Sequence, residues 1–221
     1  MRVPVAALVI LLFPASPLPA AASNLLSAGE EWTLLSVPGR PVAEIVISDG
    51  RADIATKDAV RFAYRPVERN AAELAWRWRV RGDFTASDMT ESGRDDRPLA
   101  IHLWLDSPAA DDVLFGTLAR LIGFPRVTHV LTYAWGGNLP PGTMFANPHF
   151  EQGAILVLQS ATSSAGWLSE RRDLTRDLER AFGGRVTIAD IRHVAISTDL
   201  DDLGGMATAG IADLRANPSG E

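Results

Sequence analysis

The sequence lacks cysteine altogether and contains a single lysine, Lys57, among its 221 residues. Without cysteine the chain has no disulfide framework, no thiolate metal ligand and no cysteine nucleophile. Basic residues are also in deficit, because 27 Asp and Glu outnumber 21 Lys and Arg and give a formal net charge of −6. Proteins that bind nucleic acid generally need an excess of cations to displace counterions from phosphate, so we expect no nucleic-acid partner.

Long apolar runs are confined to the start of the chain. Arg2 precedes an almost entirely apolar stretch over residues 3–13, prolines follow, and residues 20–22 are three alanines. This order is typical of a secretory signal peptide, and the run is shorter than the about 20 residues that cross a bilayer. We therefore expect a signal peptide at 1–22, an exported protein that is periplasmic or secreted, no membrane span after cleavage, and one domain over 23–221. An uncleaved anchor is the alternative.

Apolar and polar residues alternate with a period of two in several later segments. In the segment 74–81, Leu74, Trp76, Trp78 and Val80 share one face, and arginines occupy the other. A strand with one buried face has this period, so we expect both tryptophans in the core. The same reasoning, with turn residues as boundaries, predicts further strands at 42–48, 52–55, 60–64, 99–106, 127–135, 154–160 and 193–198.

Helical spacing is rare in the chain. Apolar residues recur at intervals of three to four within 169–182, and Gly183 follows as a left-handed stop, which predicts a helix there. A weaker pattern predicts a second helix over 111–122. Six to eight strands with one or two short peripheral helices predict an all-β fold, and a jelly-roll-like β-sandwich is the expected member of that class.

Several sequence blocks, taken in order, resemble one known family. They are Leu74-Ala75-Trp76-Arg77-Trp78-Arg79-Val80, Asp95-Asp96-Arg97-Pro98, the segment 101–106, Tyr133-Ala134-Trp135-Gly136-Gly137-Asn138, Pro141-Gly142-Thr143, Trp167 with Glu170-Arg171-Arg172-Asp173, Ala181-Phe182-Gly183, and Ala195-Ile196-Ser197-Thr198-Asp199. Over roughly 32–214 the chain resembles the secreted bacterial proteins grouped as domain-of-unknown-function family 3047. That family has no established activity, so the resemblance implies how the chain is organised more than what the protein does. Its strand pattern is similar to that of jelly-roll carbohydrate-binding domains, which is an analogy of fold.

Polar and aromatic side chains on the predicted strands are the candidates for ligand binding. Arginines on one strand face can bind acidic sugar carboxylates in bidentate fashion, although a solvated face paired with acidic neighbours is the alternative. A sugar site needs an aromatic platform with a few hydrogen-bonding groups, and buried structural roles are the alternative for these residue types. The candidates are Arg77, Arg79, His102, Trp104, Tyr133 and Asn138.

Two clusters of aspartates are the candidates for a metal site. Asp95 and Asp96 lie in the most polar loop of the chain, and Asp199 and Asp201 follow the predicted strand at 193–198. Oxygen ligands from two such loops can hold a structural Ca²⁺, and no other cofactor is expected. Aspartates that form turns by bonding their own backbone are the alternative reading.

Three functions remain open at this point. The leading hypothesis is a non-enzymatic protein that binds a carbohydrate or another envelope ligand. The second is a polysaccharide-active enzyme, a lyase or hydrolase, in which His102, Tyr133 and arginines meet in one cleft. The third is an envelope scaffold that binds another protein, which predicts a large exposed apolar patch and no deep polar pocket. The sequence does not single out catalytic residues.

Overall fold

The structure is a computed structural model in which two β-sheets pack face to face. It describes residues 24–27, 31–67, 70–108, 123–162 and 166–218. The expected signal peptide at 1–22 and the expected helix at 111–122 lie outside the described residues. Within the described residues, no helix is long and apolar enough to cross a membrane.

Twelve strands make up the two sheets of the described chain. They are β1 Thr33–Leu35, β2 Glu44–Ser48, β3 Arg51–Lys57, β4 Val60–Pro66, β5 Ala71–Phe84, β6 Arg97–Leu105, β7 His129–Trp135, β8 Met144–Ala146, β9 Gly153–Gln159, β10 Leu168–Asp173, β11 Ile191–Asp199 and β12 Gly205–Pro218. The seven-stranded sheet has the order β1-β4-β11-β6-β7-β9-β8, and the five-stranded sheet has the order β10-β5-β12-β3-β2. Strand pairing is antiparallel except between β7 and β9. The predicted jelly-roll-like β-sandwich is confirmed.

The apolar face of β5 forms the centre of the core between the sheets. Trp76 and Trp78 are buried there, with their rings 5.4 Å apart in an edge-to-face contact. Across the sandwich, Trp76 contacts Tyr133 at 5.5 Å and Trp78 contacts Trp135 at 5.3 Å. These large rings remove a great deal of apolar area from water, which is the main stabilising contribution of such a core. The expectation that both tryptophans are core residues is confirmed.

The seven-stranded sheet is covered on both faces around β6. Leu103 and its alternate neighbours point into the core between the sheets. His102 and Trp104 point the other way, toward the face that lies away from the five-stranded sheet and is called the outer face below. The aromatic ring of Phe124 and the side chain of Val130 pack with Trp104 on this outer face. A second apolar layer on the outer face therefore explains why every residue of β6 is buried.

The predicted helix at 169–182 is only half right. The first part is the strand β10, which pairs with β5 in register, with Glu170 opposite Trp76. Helix α1 runs from Leu174–Phe182, and the Asp173 side chain accepts a hydrogen bond from the Arg176 backbone N–H as its N-cap. Glu170 lies in the strand β10, whose alternate side chains are exposed and half-buried in turn.

The longest strand missed by periodicity is β12, which lies between β5 and β3 in the five-stranded sheet. Its apolar face consists largely of small residues such as Ala207 and Ala209, with Ile211, so it lacks the run of large apolar residues that marks a strand in a sequence. Gly210 on the opposite face leaves room for Trp167, whose ring would lie 3.1 Å from a Cβ atom at that position. Two short strands, β1 and β8, were also not predicted.

Candidate functional site

A pocket of about 450 Å³ opens on the outer face of the seven-stranded sheet. Strands β4, β6 and β7 supply most of its base, because alternate side chains of each strand point to this face. The loop before β6, the loop between β8 and β9, and the loop after β11 supply the side chains at one end. Residues distant in sequence thus meet where the antiparallel ladder brings the end of β11 beside the start of β6.

The base of the pocket is aromatic and is called the floor below. Its members are Phe62, His102, Trp104, Phe124, Val130 and Thr132. The Trp104 ring lies 5.7 Å from Phe124, and Phe62 lies 5.8 Å from the His102 ring. Phe150 adds a half-buried ring from the loop between β8 and β9. Such a surface offers apolar contact area to a ligand with an apolar face.

His102 is held rigidly within the floor. Its Nδ1 lies 2.9 Å from Thr132 Oγ1 and its Nε2 lies 2.8 Å from Ser197 Oγ, so both ring nitrogens have partners. Burial, together with the positive charge of Arg97, lowers the pKa of His102 to about 3. The imidazole is therefore neutral across the physiological range and acts as a fixed polar group of the floor.

Charged side chains line one end of the pocket and are called the charged wall below. Its members are Asp95, Arg97, His149, Asp199 and Asp201. Arg97 is central, because one guanidinium nitrogen donates to Asp95 Oδ2 at 2.9 Å and another lies 3.5 Å from Asp199 Oδ2. The His149 Nε2 atom lies 2.9 and 3.0 Å from the two Asp95 carboxylate oxygens. The ladder register places Asp199 directly opposite Arg97, which explains their pairing.

The pKa values of the two carboxyl groups bound to Arg97 are shifted in opposite directions. Burial favours the protonated form of Asp95, but hydrogen bonds and charges from His149 and Arg97 outweigh it and lower its pKa to about 2. Burial raises the pKa of Asp199 to about 7, and the nearby carboxylate of Asp201 adds to this against the charge of Arg97. Near neutral pH Asp95 is therefore ionised, whereas Asp199 is partly protonated.

Three aspartates at the charged wall, of which Asp201 is a wall member, fit the donor set of a metal ion. Carboxylate oxygens of Asp96, Asp201 and Asp202 all lie within 4.8 Å of one another, and burial raises the pKa of Asp96 and Asp202. Hard oxygen ligands of this kind suit Ca²⁺. Each member also has a protein partner. Asp96 accepts the backbone N–H groups of Asp202 and Leu203 at 3.1 and 2.9 Å, and Arg40 pairs with Asp201 at 3.3 Å and with Asp202 at 3.6 Å.

The four candidate metal ligands separate into two groups in the structure. Asp96 and Asp201 belong to the trio just described. Asp95 and Asp199 are instead bound by Arg97. Of the candidate ligands, Asp96 and Asp201, together with Asp202, form the group that could hold a structural Ca²⁺.

Tyr133 lies in the core and not in the pocket. Its ladder neighbour Ile101 and its packing partner Trp76 both belong to the core between the sheets. The Tyr133 hydroxyl donates to Asp177 Oδ2 at 3.0 Å, and Arg172 binds the same carboxylate at 2.7 and 2.8 Å. Since His102 points to the outer face, the expected cleft that joins His102 with Tyr133 does not exist, and that prediction is wrong.

The candidate arginines lie on the far side of the sandwich. Arg77 and Arg79 point away from the core of the five-stranded sheet, where their guanidinium carbons lie 5.6 and 4.8 Å from the centre of the Trp167 ring. Arg77 also pairs with Asp213 at 2.8 Å. This agrees with the alternative that the arginine face is paired with acidic neighbours. Asn138 is exposed in the turn after β7, where its backbone N–H donates to Ser87 O at 2.9 Å. The structure therefore does not bring these three residues to the pocket.

A model of one protein family matches most of the chain. The family model described as "Protein of unknown function (DUF3047)" matches residues 47–215, which include β3 to β11 and most of β12. The chain belongs to the DUF3047 family. The match covers both halves of the charged wall, since Asp95 and Asp199 both fall within it. No curated protein matches the DUF3047 chain.

Two xyloglucanases and a cellulase are among the solved structures similar to this DUF3047 protein. A family 12 xyloglucanase from Bacillus licheniformis is 10% identical, with 90% of this chain and 97% of that chain covered and a TM-score of 0.48. The xyloglucanase domain of NopAA from Sinorhizobium fredii is 9% identical, with coverages of 83% and 91% and a TM-score of 0.46. A cellulase derived from Cel12A of Rhodothermus marinus is 13% identical, with coverages of 86% and 92% and a TM-score of 0.45. At such values the function of the DUF3047 chain has to be argued from its own residues.

Sequence reasoning missed four residues that shape the pocket of the DUF3047 protein. Phe62 and Phe150 line it with aromatic rings, and Arg97 and His149 organise its charged wall. Arg97 stands inside a motif that marks the family, which was the available signal. Phe62, Phe150 and His149 come from elements far apart in the chain, so local sequence spacing does not show that they lie in one pocket.

Proposed function

We propose that this DUF3047 protein is exported and binds a carbohydrate in the outer-face pocket. One observation supports the proposal above all, namely that the aromatic floor and the charged wall meet in one pocket of about 450 Å³. Pockets for small ligands combine an apolar surface with a few fixed polar groups in this way.

The chemistry of a sugar ring suits both parts of the pocket. The C–H groups on one side of the ring pack against aromatic side chains such as Phe150 and Phe62. Ring hydroxyls donate to the carboxylates of Asp95 and Asp201 and accept from Arg97, and hydrogen bonds to charged groups are the stronger kind. A purely apolar ligand would remove water from the polar groups of this wall without offering them hydrogen bonds in exchange, which costs free energy.

The charges of the wall favour a neutral sugar over an acidic one. Asp95, Asp201 and Asp202 carry negative charge beside the pocket, with Arg40 and Arg97 as their partners. A uronic-acid carboxylate would bring another negative charge against these groups, and unpaired like charges disfavour binding. The scaffold hypothesis, by contrast, predicts the absence of a polar pocket.

Isothermal titration calorimetry with the purified protein tests this proposal. Neutral oligosaccharides are expected to bind, and uronic-acid oligosaccharides are expected to bind more weakly or not at all. The Phe150→Ala variant should raise the Kd about tenfold, equivalent to about 1.4 kcal/mol. Phe84→Ala removes a half-buried ring at the end of β5 and is the matched control, whose Kd should stay unchanged. Absence of heat with every glycan in the panel would refute the proposal.

Cleavage of a polysaccharide is a second candidate function, and one observation favours it. Asp199, with a pKa of about 7, is partly protonated at neutral pH, while Asp95 in the same wall is ionised. Enzymes that cleave glycosidic bonds by acid–base chemistry commonly use a pair of carboxyl groups whose pKa values differ. An assay of released reducing ends tests this function. Activity that is lost in Asp199→Asn while glycan binding persists would support it, and intact glycan after prolonged incubation would contradict it.

A further inference from the structure

We propose that Ser92, His149 and Asp95 form a nucleophilic triad at the edge of the pocket and that the protein hydrolyses a carboxylic ester. All three residues line the pocket. The His149 Nε2 atom lies 2.9 Å from Asp95 Oδ1, and its Nδ1 atom lies 3.3 Å from Ser92 Oγ. This is the order of nucleophile, base and orienting acid that activates a serine on many unrelated folds.

The hydrogen bonds determine which ring nitrogen of His149 carries the proton. Both carboxylate oxygens of Asp95 face the Nε2 atom, at 2.9 and 3.0 Å, and Arg97 donates to one of them, so the carboxylate accepts and the Nε2 atom donates. In the neutral ring the Nδ1 atom is then an acceptor, and the Ser92 hydroxyl donates to it. Asp95 thereby presents His149 to Ser92 in the tautomer that a general base requires. The distance of 3.3 Å to Ser92 is of the looser kind found in proteins without a bound substrate.

The surroundings hold the acid in place and leave the nucleophile accessible. Asp95 is buried and bound by Arg97 through two contacts of 2.9 Å, one to its side chain and one to its backbone carbonyl. The Gly93 N–H also donates to Asp95 Oδ1, at 3.3 Å. Ser92 itself is exposed at the edge of the pocket. An ester can therefore reach its hydroxyl from solvent while the rest of the molecule occupies the pocket.

The loop that carries Ser92 is shaped by local hydrogen bonds. Asp88 Oδ1 accepts from the Thr90 backbone N–H at 3.1 Å and from the Thr90 hydroxyl at 2.6 Å. The Arg94 N–H donates to the Glu91 carbonyl at 3.1 Å, which closes a turn around Ser92. A nucleophile on a fixed turn loses less entropy when it attacks than one on a free chain.

The reaction balances with water as the only co-reactant. The Ser92 oxygen attacks the ester carbonyl carbon as His149 Nδ1 takes the hydroxyl proton. The bond to the alcohol oxygen then breaks, and the same proton passes to that oxygen, so the alcohol leaves and an acyl-serine remains. Water then attacks the acyl carbon and gives one proton to His149. The bond between the acyl carbon and the Ser92 oxygen breaks, the carboxylic acid leaves, and the serine takes the proton back from His149.

The substrate class follows from the position of the triad. An ester whose alcohol part lies in the pocket presents its acyl group to Ser92, and an O-acylated sugar fits this description. That choice of alcohol rests on the function proposed above, whereas ester hydrolysis itself does not.

Hydrolysis of p-nitrophenyl acetate and labelling with a fluorophosphonate test the triad without any sugar. Ser92→Ala should lower kcat/KM by about 100-fold or more, since general-base activation of a hydroxyl contributes at least that much. His149→Gln should lower it to a similar extent, because members of a triad act as a unit. Ser169→Ala, at an exposed serine of β10, is the matched control and should keep full activity. Mass spectrometry should place the fluorophosphonate on Ser92 in the wild type.

The outcomes separate this proposal from the proposed function. Undiminished hydrolysis by Ser92→Ala, or a label on another residue, overturns the triad. Calorimetry of Ser92→Ala with the neutral oligosaccharides shows in parallel whether glycan binding survives. If the glycan binds and Ser92 is inert, only the triad fails. If no glycan binds and turnover depends on Ser92, only the carbohydrate proposal fails.

Discussion

Replacing Asp199 by asparagine should stabilise the protein, and the gain should grow with pH. Asp199 lies against Asp201, and burial with this like charge raises its pKa to about 7. An unfolded chain has no such environment, and there the group titrates near 3.8. The native state therefore binds the Asp199 proton more tightly than the unfolded state does.

The sign and size of the effect follow from this difference. A carboxyl with a raised native pKa contributes its full stability below pH 4 and loses it as the pH rises from about 4 to about 7. The interval of about three pH units corresponds to about 4 kcal/mol. Asparagine resembles the protonated acid in shape and does not ionise. The variant should accordingly match the wild type near pH 4 and exceed its free energy of unfolding by up to about 4 kcal/mol at pH 8.

Urea unfolding at several pH values between 4.5 and 8.5 measures this difference. Asp83→Asn, at an exposed position near the end of β5, is the matched control and should leave the free energy of unfolding nearly unchanged. The reasoning is refuted if the stability difference of Asp199→Asn is flat across the range. It is equally refuted if the variant becomes relatively less stable as the pH rises.

Three further predictions concern the core and the acidic trio. Trp78→Ala should lower the free energy of unfolding by about 3–5 kcal/mol in urea titrations, and a loss below 1 kcal/mol would contradict its central place in the core. Tyr133→Phe should cost about 1 kcal/mol by leaving Asp177 without the hydroxyl donor, while calorimetry should show unchanged glycan affinity, and a lost affinity would contradict its place outside the pocket. Added Ca²⁺ should raise the Tm of the wild type but not of Asp201→Asn in a thermal-shift assay, whereas an equal rise in both would exclude the trio as the site.

Strand faces could be predicted from the sequence where large apolar residues alternate. Alternation in the predicted strand 99–106 places His102 and Trp104 on one face and the leucines on the other, and the structure has this arrangement. The method failed for β12, because small residues such as Ala207 and Ala209 leave no contrast between its faces. The periodicity also predicts one helix over 169–182. The spacing of leucines does not show that the first of these residues pair with β5 as an edge strand.

The site could be predicted only in part for a related physical reason. Alternation places a side chain on one face of its own strand, but it does not say which layer of the sandwich that face meets. Tyr133 and His102 were therefore grouped together although one points into the core and the other to the outer face. The pairing of Arg97 with Asp199, and of His149 with Asp95, depends on strand register and loop packing between segments 50 or more residues apart.

The imidazole signals of the four histidines offer the most direct test that a carbohydrate binds in this pocket. His149 belongs to the charged wall, whereas His129 packs against Phe182 away from the pocket. In NMR spectra of the histidine rings, a neutral oligosaccharide at saturating concentration should shift the signals of His149 and leave those of His129 in place. An unchanged His149, or a shift confined to His129, would contradict carbohydrate binding at the outer-face pocket.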